Sequence, residues 1–132
     1  MRPALALVPT FTVLLGLLAQ PVDAQAAPAD AAHGLALYQS RCIACHSVDR
    51  PGLGPQHRGV FGRLAGTAPG FSGYSAALKR SGIVWNEVSL ERWLTDPERL
   101  VPGQAMGVSV PDAAERADLI AYLRTLNVKP KE

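Results

Sequence analysis

Cys42-Ile43-Ala44-Cys45-His46 holds the only two cysteines of the chain, with a histidine directly after the second. This is C-x-x-C-H, the attachment pattern of a c-type haem. On a helical turn, residues three apart share a face. Both sulfurs can then reach the two vinyl groups on one edge of a porphyrin and form thioethers, while His46 is carried under the iron. Other chemistries fit less well. A thioredoxin-like C-x-x-C needs a βαβ context, which the pattern of the chain lacks. A zinc site needs four ligands, and the chain offers three histidines and no further cysteine. A disulfide across two residues closes too small a loop to stabilise much.

A haem held this way calls for a sixth iron ligand. Met106 is the favoured one, in the run Pro102-Gly103-Gln104-Ala105-Met106-Gly107. Glycine and proline there permit an irregular backbone that turns one side chain inward. A thioether is a soft ligand that favours ferrous iron. The competitors are His33 and His57. On a helix His33 lies ~13 Å along the axis from Cys42. His57 follows the attachment motif closely and is expected on the His46 side of the ring. Both read better as surface or structural histidines.

Several elements must position these groups. A helix is expected from about Asp30 to Arg41, with Asp30 as N-cap and Gly34 as an anomaly in its first turns. Residues 47–72 are rich in glycine and proline and read as a long structured loop. A loop of ~25 residues in a compact domain implies that it wraps something. A short helix follows Ser75 and stops at Gly82. Another is expected to begin after Ser89 and to close at Asp96-Pro97, with one more turn from Pro97 to Leu100. The last helix starts at Asp112, with Glu115 in capping-box position. Along it Arg116, Leu119, Ile120, Leu123 and Leu126 fall at helical spacing, and Asn127 ends it. No strand or repeat is evident, so the expected class is all-α with long loops.

The 132 residues suit one small domain, and 18% charged with 48% hydrophobic residues argues against disorder. Aromatic residues are only 6%, so a buried cofactor would supply missing apolar bulk. A net charge of +2 gives no support for nucleic-acid binding. Arg2, the apolar run Ala4 to Ala19 and the small-x-small site Val22-Asp23-Ala24 read as a cleaved signal over residues 1–24. The run is short for a membrane span, and Pro9 interrupts it. The expected mature domain is then 25–132, exported to the periplasm, with no stable membrane insertion.

From Gly34 to Leu126, essentially all of the expected mature domain, the sequence resembles the class I cytochromes c, of the mitochondrial and bacterial c2 type. Six motifs occur in that family's order: CIACH (42–46), GLGP (52–55), GVFGRLAG (59–66), YSAALKRSGIVW (74–85), LERWLTDPERLVPGQAM (90–106) and RADLIAYL (116–123). The resemblance implies a class I fold, with N- and C-terminal helices crossing and loops wrapping one covalent haem c. It implies Cys42 and Cys45 as thioether cysteines, His46 as proximal ligand and Met106 as distal ligand. Pro55 matches the proline whose carbonyl accepts the His46 Nδ1–H bond. Arg63, Tyr74 and Trp85 match positions that hydrogen-bond to a haem propionate. Gly34 and Tyr38 match the positions that cross the last helix at Leu119 and Tyr122, which accounts for the glycine.

There are departures as well. Trp93 stands for a tyrosine near the methionine ligand, removing a hydroxyl that could bond the sulfur. Ala105 replaces a frequent lysine, Leu78 a frequent polar residue, and His57 an often apolar one. One extra residue lies between Phe71 and Tyr74, and Gly-Val-Ser-Val follows Met106 without the usual aromatic.

The implied function is one-electron transfer in the periplasm, not enzymatic catalysis. The expected partners are a redox donor and a redox acceptor, docking transiently at the haem edge of a monomer. Arg41, Arg50, Arg58 and Lys79 are the candidate basic contacts. The alternatives are a dedicated electron-accepting subunit of one dehydrogenase, and gas binding or catalysis at iron after Met106 dissociates.

Overall fold

The computed structural model describes residues 27–127, so the expected signal over 1–24 lies outside the described residues. Among the described residues five helices follow one another: α1 (Ala31–Arg41), α2 (Ala76–Arg80), α3 (Glu87–Thr95), α4 (Pro97–Leu100) and α5 (Ala113–Thr125). Among the described residues the only β pairing is an isolated bridge between Leu64 and Val84, so the chain is all-α, as predicted. None of the described helices is long and apolar enough to cross a membrane.

The helix ends follow local chemistry. Asp30 caps α1, its carboxylate accepting from Ala32 N–H and His33 N–H. Ser75 caps α2, and Gly82, at φ +66°, follows it in the left-handed region that glycine tolerates. Pro97 opens α4, as the sequence predicted.

Two expectations are corrected. Helix α3 begins at Glu87, before Ser89, because Asn86 is the cap. The Ser89 hydroxyl accepts from Asn86 N–H at 2.8 Å while Asn86 Oδ1 accepts from Ser89 N–H at 2.9 Å. Ser89 therefore closes a capping box from inside the helix. Helix α5 keeps half of its expected box. Asp112 Oδ1 accepts from Glu115 N–H at 2.9 Å. The Glu115 carboxylate is taken instead by the Arg41 fork, at 2.6 and 2.7 Å. A charge-assisted bidentate pair is stronger than a return bond to one N–H.

Helices α1 and α5 pack together, and Gly34 is the reason they come so close. A Cβ there would overlap the Asp118 carbonyl and stand 2.9 Å from Tyr122 Cβ. Beside it the Tyr38 and Tyr122 rings pack at 5.1 Å. The core is built from Leu37 and Tyr38 of α1, Leu119, Ile120 and Leu123 of α5, and Leu90, Trp93 and Leu94 of α3. Arg116 breaks the apolar period of α5 yet is 8% exposed. Its guanidinium donates to Glu91 Oε1 at 2.7 Å and to the Val110 and Pro111 carbonyls at 2.8 Å, so the buried charge is paired and hydrogen-bonded.

Candidate functional site

The cysteine motif continues the chain one turn past α1. Cys42 N–H donates to the Tyr38 carbonyl, and the N–H groups of Cys45 and His46 both turn back to the Cys42 carbonyl, at 3.1 and 2.9 Å. That turn aims Cys42, Cys45 and His46 into one cleft of about 300 Å³, within the size range of prosthetic-group sites. Leu78, Trp85, Leu90 and Leu94 make much of its wall apolar, and Met106 enters from the 101–111 segment. Burial pushes the Cys42 thiol up to about 11, so this cysteine is no ready thiolate.

His46 is oriented by the loop that follows it. Its Nδ1 lies 2.7 Å from the Pro55 carbonyl. A carbonyl only accepts, so Nδ1 carries the proton and Nε2 keeps its lone pair. Burial also lowers the basicity of the ring, which favours the neutral imidazole a metal needs. Gly54 passes close beneath: a Cβ there would stand 2.7 Å from Nδ1 and 2.9 Å from Nε2. The Gly54 N–H is tied back to the Cys45 carbonyl at 2.7 Å.

Met106 is positioned by groups the sequence reading did not single out. Glu98 on α4 accepts from Gly103 N–H at 2.8 Å, where Gly103 turns with φ +83°. Met106 N–H donates to the Gln104 side-chain oxygen. The available signal was Glu98 itself, an acidic residue in a single-turn helix just before the irregular segment. Trp93 also differs from expectation. Its Nε1–H donates to Met106 Sδ at 3.3 Å, so the indole supplies the donor that the missing hydroxyl took away.

The three expected propionate contacts line the same cleft. Arg63 is half-buried and donates to the Arg58 and Gln56 carbonyls, at 3.0 and 2.8 Å. It has no salt bridge among the described residues, and burial lowers its pKa, so an anion beside it would be welcome. The Tyr74 hydroxyl oxygen accepts from Ala68 N–H at 3.1 Å, which leaves its proton to donate. The buried Trp85 meets Trp93 edge-on at 5.3 Å, and its indole N–H has no protein acceptor among the described residues. A mostly apolar cleft with two thiols, an unprotonated imidazole nitrogen, a thioether and unspent cationic and neutral donors fits a haem and its propionates.

The two other histidines do not join Met106. His33 pairs with Asp118 at 2.7 Å on the surface. His57 lies on the His46 side, as predicted, its ring stacked on His46 at 4.2 Å. Desolvation, then the neighbouring His46 and Arg63, push its pKa down to about 3.

A sequence model of the Cytochrome c family matches residues 31–127. Cytochrome c of Sesamum indicum is 41% identical over 106 residues, covering 76% of this chain and 93% of that protein. Cytochrome c2 of Rhodopila globiformis is 43% identical over 104 residues, covering 76% and 97%. The solved structure of cytochrome cH from Methylobacterium extorquens superposes with a TM-score of 0.69 at 42% identity, covering 73% of this chain and 98% of that one. The chain belongs to the cytochrome c family. It is an electron carrier and not an enzyme, and its cofactor is one haem c, covalently held through the C-x-x-C-H cysteines Cys42 and Cys45.

Proposed function

We propose that the protein is a periplasmic one-electron shuttle whose iron is ligated by His46 and Met106. The observation that carries the reading is the state of the two ligand atoms. His46 has its proton committed to Pro55 and its Nε2 lone pair left over. Met106 Sδ lines the same cleft and is steadied by Trp93. When bound, the haem iron supplies a reversible ferrous–ferric couple. The residues around it exclude water, fix both ligands and leave no open coordination position for a substrate. Arg63, Tyr74 and Trp85 neutralise and hydrogen-bond the propionates. Residues 1–24 act as a cleaved signal, leaving 25–132 as the exported domain.

Donor and acceptor dock transiently at the cleft mouth, where Leu53 and Val108 stand 82% and 46% exposed. Short-range apolar contact rather than long-range charge dominates there, and the carrier works as a monomer. Ferrous holoprotein mixed with carbon monoxide at neutral pH tests the reading. A carrier with both axial positions filled binds the gas slowly or not at all. Rapid binding would favour catalysis or gas sensing instead. Recovery in the periplasmic fraction, with an N-terminus at Gln25, checks the export reading, and an intact leader would contradict it.

A further inference from the structure

His57 is a cleft residue whose chemical type the proposed ligation does not use. Its backbone is held at two points: its N–H donates to the Ser47 carbonyl at 3.1 Å, and its carbonyl accepts from Val60 N–H at 3.0 Å. The side chain then lies nearly parallel to His46, ring centroids 4.2 Å apart and planes 23° apart. Its Nδ1 shares a 3.0 Å hydrogen bond with the Tyr38 hydroxyl. The Tyr38 ring meets His57 edge-on at 5.5 Å and packs against Tyr122 at the α1–α5 crossing.

An aliphatic side chain would fill this place with no polar group to satisfy, whereas a part-buried imidazole is costly unless it is bonded. Imidazole adds two things an aliphatic group lacks. It has a flat face for stacking, and a ring nitrogen that a phenol can anchor. The Pro55 bond fixes one point on the edge of the His46 ring. Contact across the ring face fixes the plane.

We propose that His57 is a positioning residue that sets the plane of the His46 imidazole and is itself anchored by Tyr38. The proposal rests on the reading of His46 as an iron ligand. Partners behind a metal-bound histidine govern its orientation. In low-spin ferric haem the axial imidazole plane sets the splitting of the iron d orbitals, and hence the g anisotropy. A path of contacts then runs from the helix crossing, through Tyr38 and His57, to the iron ligand.

Electron paramagnetic resonance of the ferric holoprotein tests this, with wild type, His57→Leu, Tyr38→Phe and the double variant compared. The expected result is a shift and broadening of the largest g value in His57→Leu. A smaller shift of the same sign is expected in Tyr38→Phe. The double variant should match His57→Leu alone, because Tyr38 acts through His57. Unchanged g values in both single variants, whatever their melting temperatures, would overturn the proposal. Should His57→Leu fail to accumulate as holoprotein, an unshifted Tyr38→Phe overturns it alone. A wild type that is not low-spin would overturn the ligation reading, and the proposal with it.

Discussion

Trp93 donates its indole N–H to the Met106 sulfur, where the family resemblance had suggested only the loss of a hydroxyl. A hydrogen bond to a thioether draws density from its lone pairs, so the sulfur gives less to ferric iron. Removing the N–H while keeping a large ring strengthens that donation and stabilises the ferric state. On the proposed ligation, Trp93→Phe lowers the midpoint potential in a redox titration. A potential that stays or rises would show that this bond does not tune the iron. At this scale the attachment motif was legible, because C-x-x-C-H fixes its chemistry by local spacing. The Trp93–Met106 bond was not, since it joins residues on different elements. Nor was the His57 stack: a histidine beside another in space leaves no mark in the order of residues. Glu98 escaped notice because its partner is a backbone N–H, which every loop residue but proline offers.

Helix α1 meets α5 through a glycine, and that contact was legible as an anomaly in an otherwise helical run. Gly34→Ala puts a methyl group into the Asp118 carbonyl, and backbone cannot turn aside as a side chain can. The helices must part, at a cost of about 3 kcal/mol, the upper end for overpacking. A melting temperature lower by several degrees is expected, and an unchanged one would contradict the close crossing.

The same two helices are tied where the first turn of α1 meets the middle of α5, by His33 and Asp118, with Asp30 N–H also on that carboxylate at 2.6 Å. The hydrogen bond to Asp118, more than the surrounding acids, raises the His33 pKa above 6.5. A raised folded-state pKa contributes stability below the unfolded value, and that stability is lost as pH rises through the folded one. Thermal stability should therefore decline slightly as pH climbs from 6.5 through the elevated His33 pKa, above the range in which the depressed His57 changes its charge. The decline should shrink in high salt and vanish in His33→Gln. The same slope in that variant would exclude His33 as its source. Helix caps were readable where one side chain bonds the nearest N–H, as at Asp30 and Ser75. They were misread at Glu115, where a distant Arg41 competes for the carboxylate.

The whole molecule carries a net charge of +2, and part of its positive charge is already committed. Arg41 is locked to Glu115 and Arg58 is paired with Asp49, which removes two of the four candidate docking cations from long-range steering. Ala105 adds no charge beside Met106. Electron transfer to a redox partner should therefore slow only gently as ionic strength rises, in stopped-flow measurements from low to physiological salt. A steep fall would reveal a cationic docking face. The all-α class and the wrapping loops were readable from glycine and proline density and from the thin aromatic supply. Where those loops deliver Met106, Arg63 and Trp85 was set by contacts between distant segments, such as Gly62 N–H on the Trp85 carbonyl at 2.8 Å.

The central claim is that one haem is held between His46 and Met106. The most direct measurement is the near-infrared absorption of the ferric holoprotein, where a weak sulfur-to-iron band accompanies methionine ligation. The account predicts that band in wild type and its loss in Met106→Ala, while the thioether-bound haem remains. A wild type without it, or a Met106→Ala protein that keeps it, would contradict the assignment.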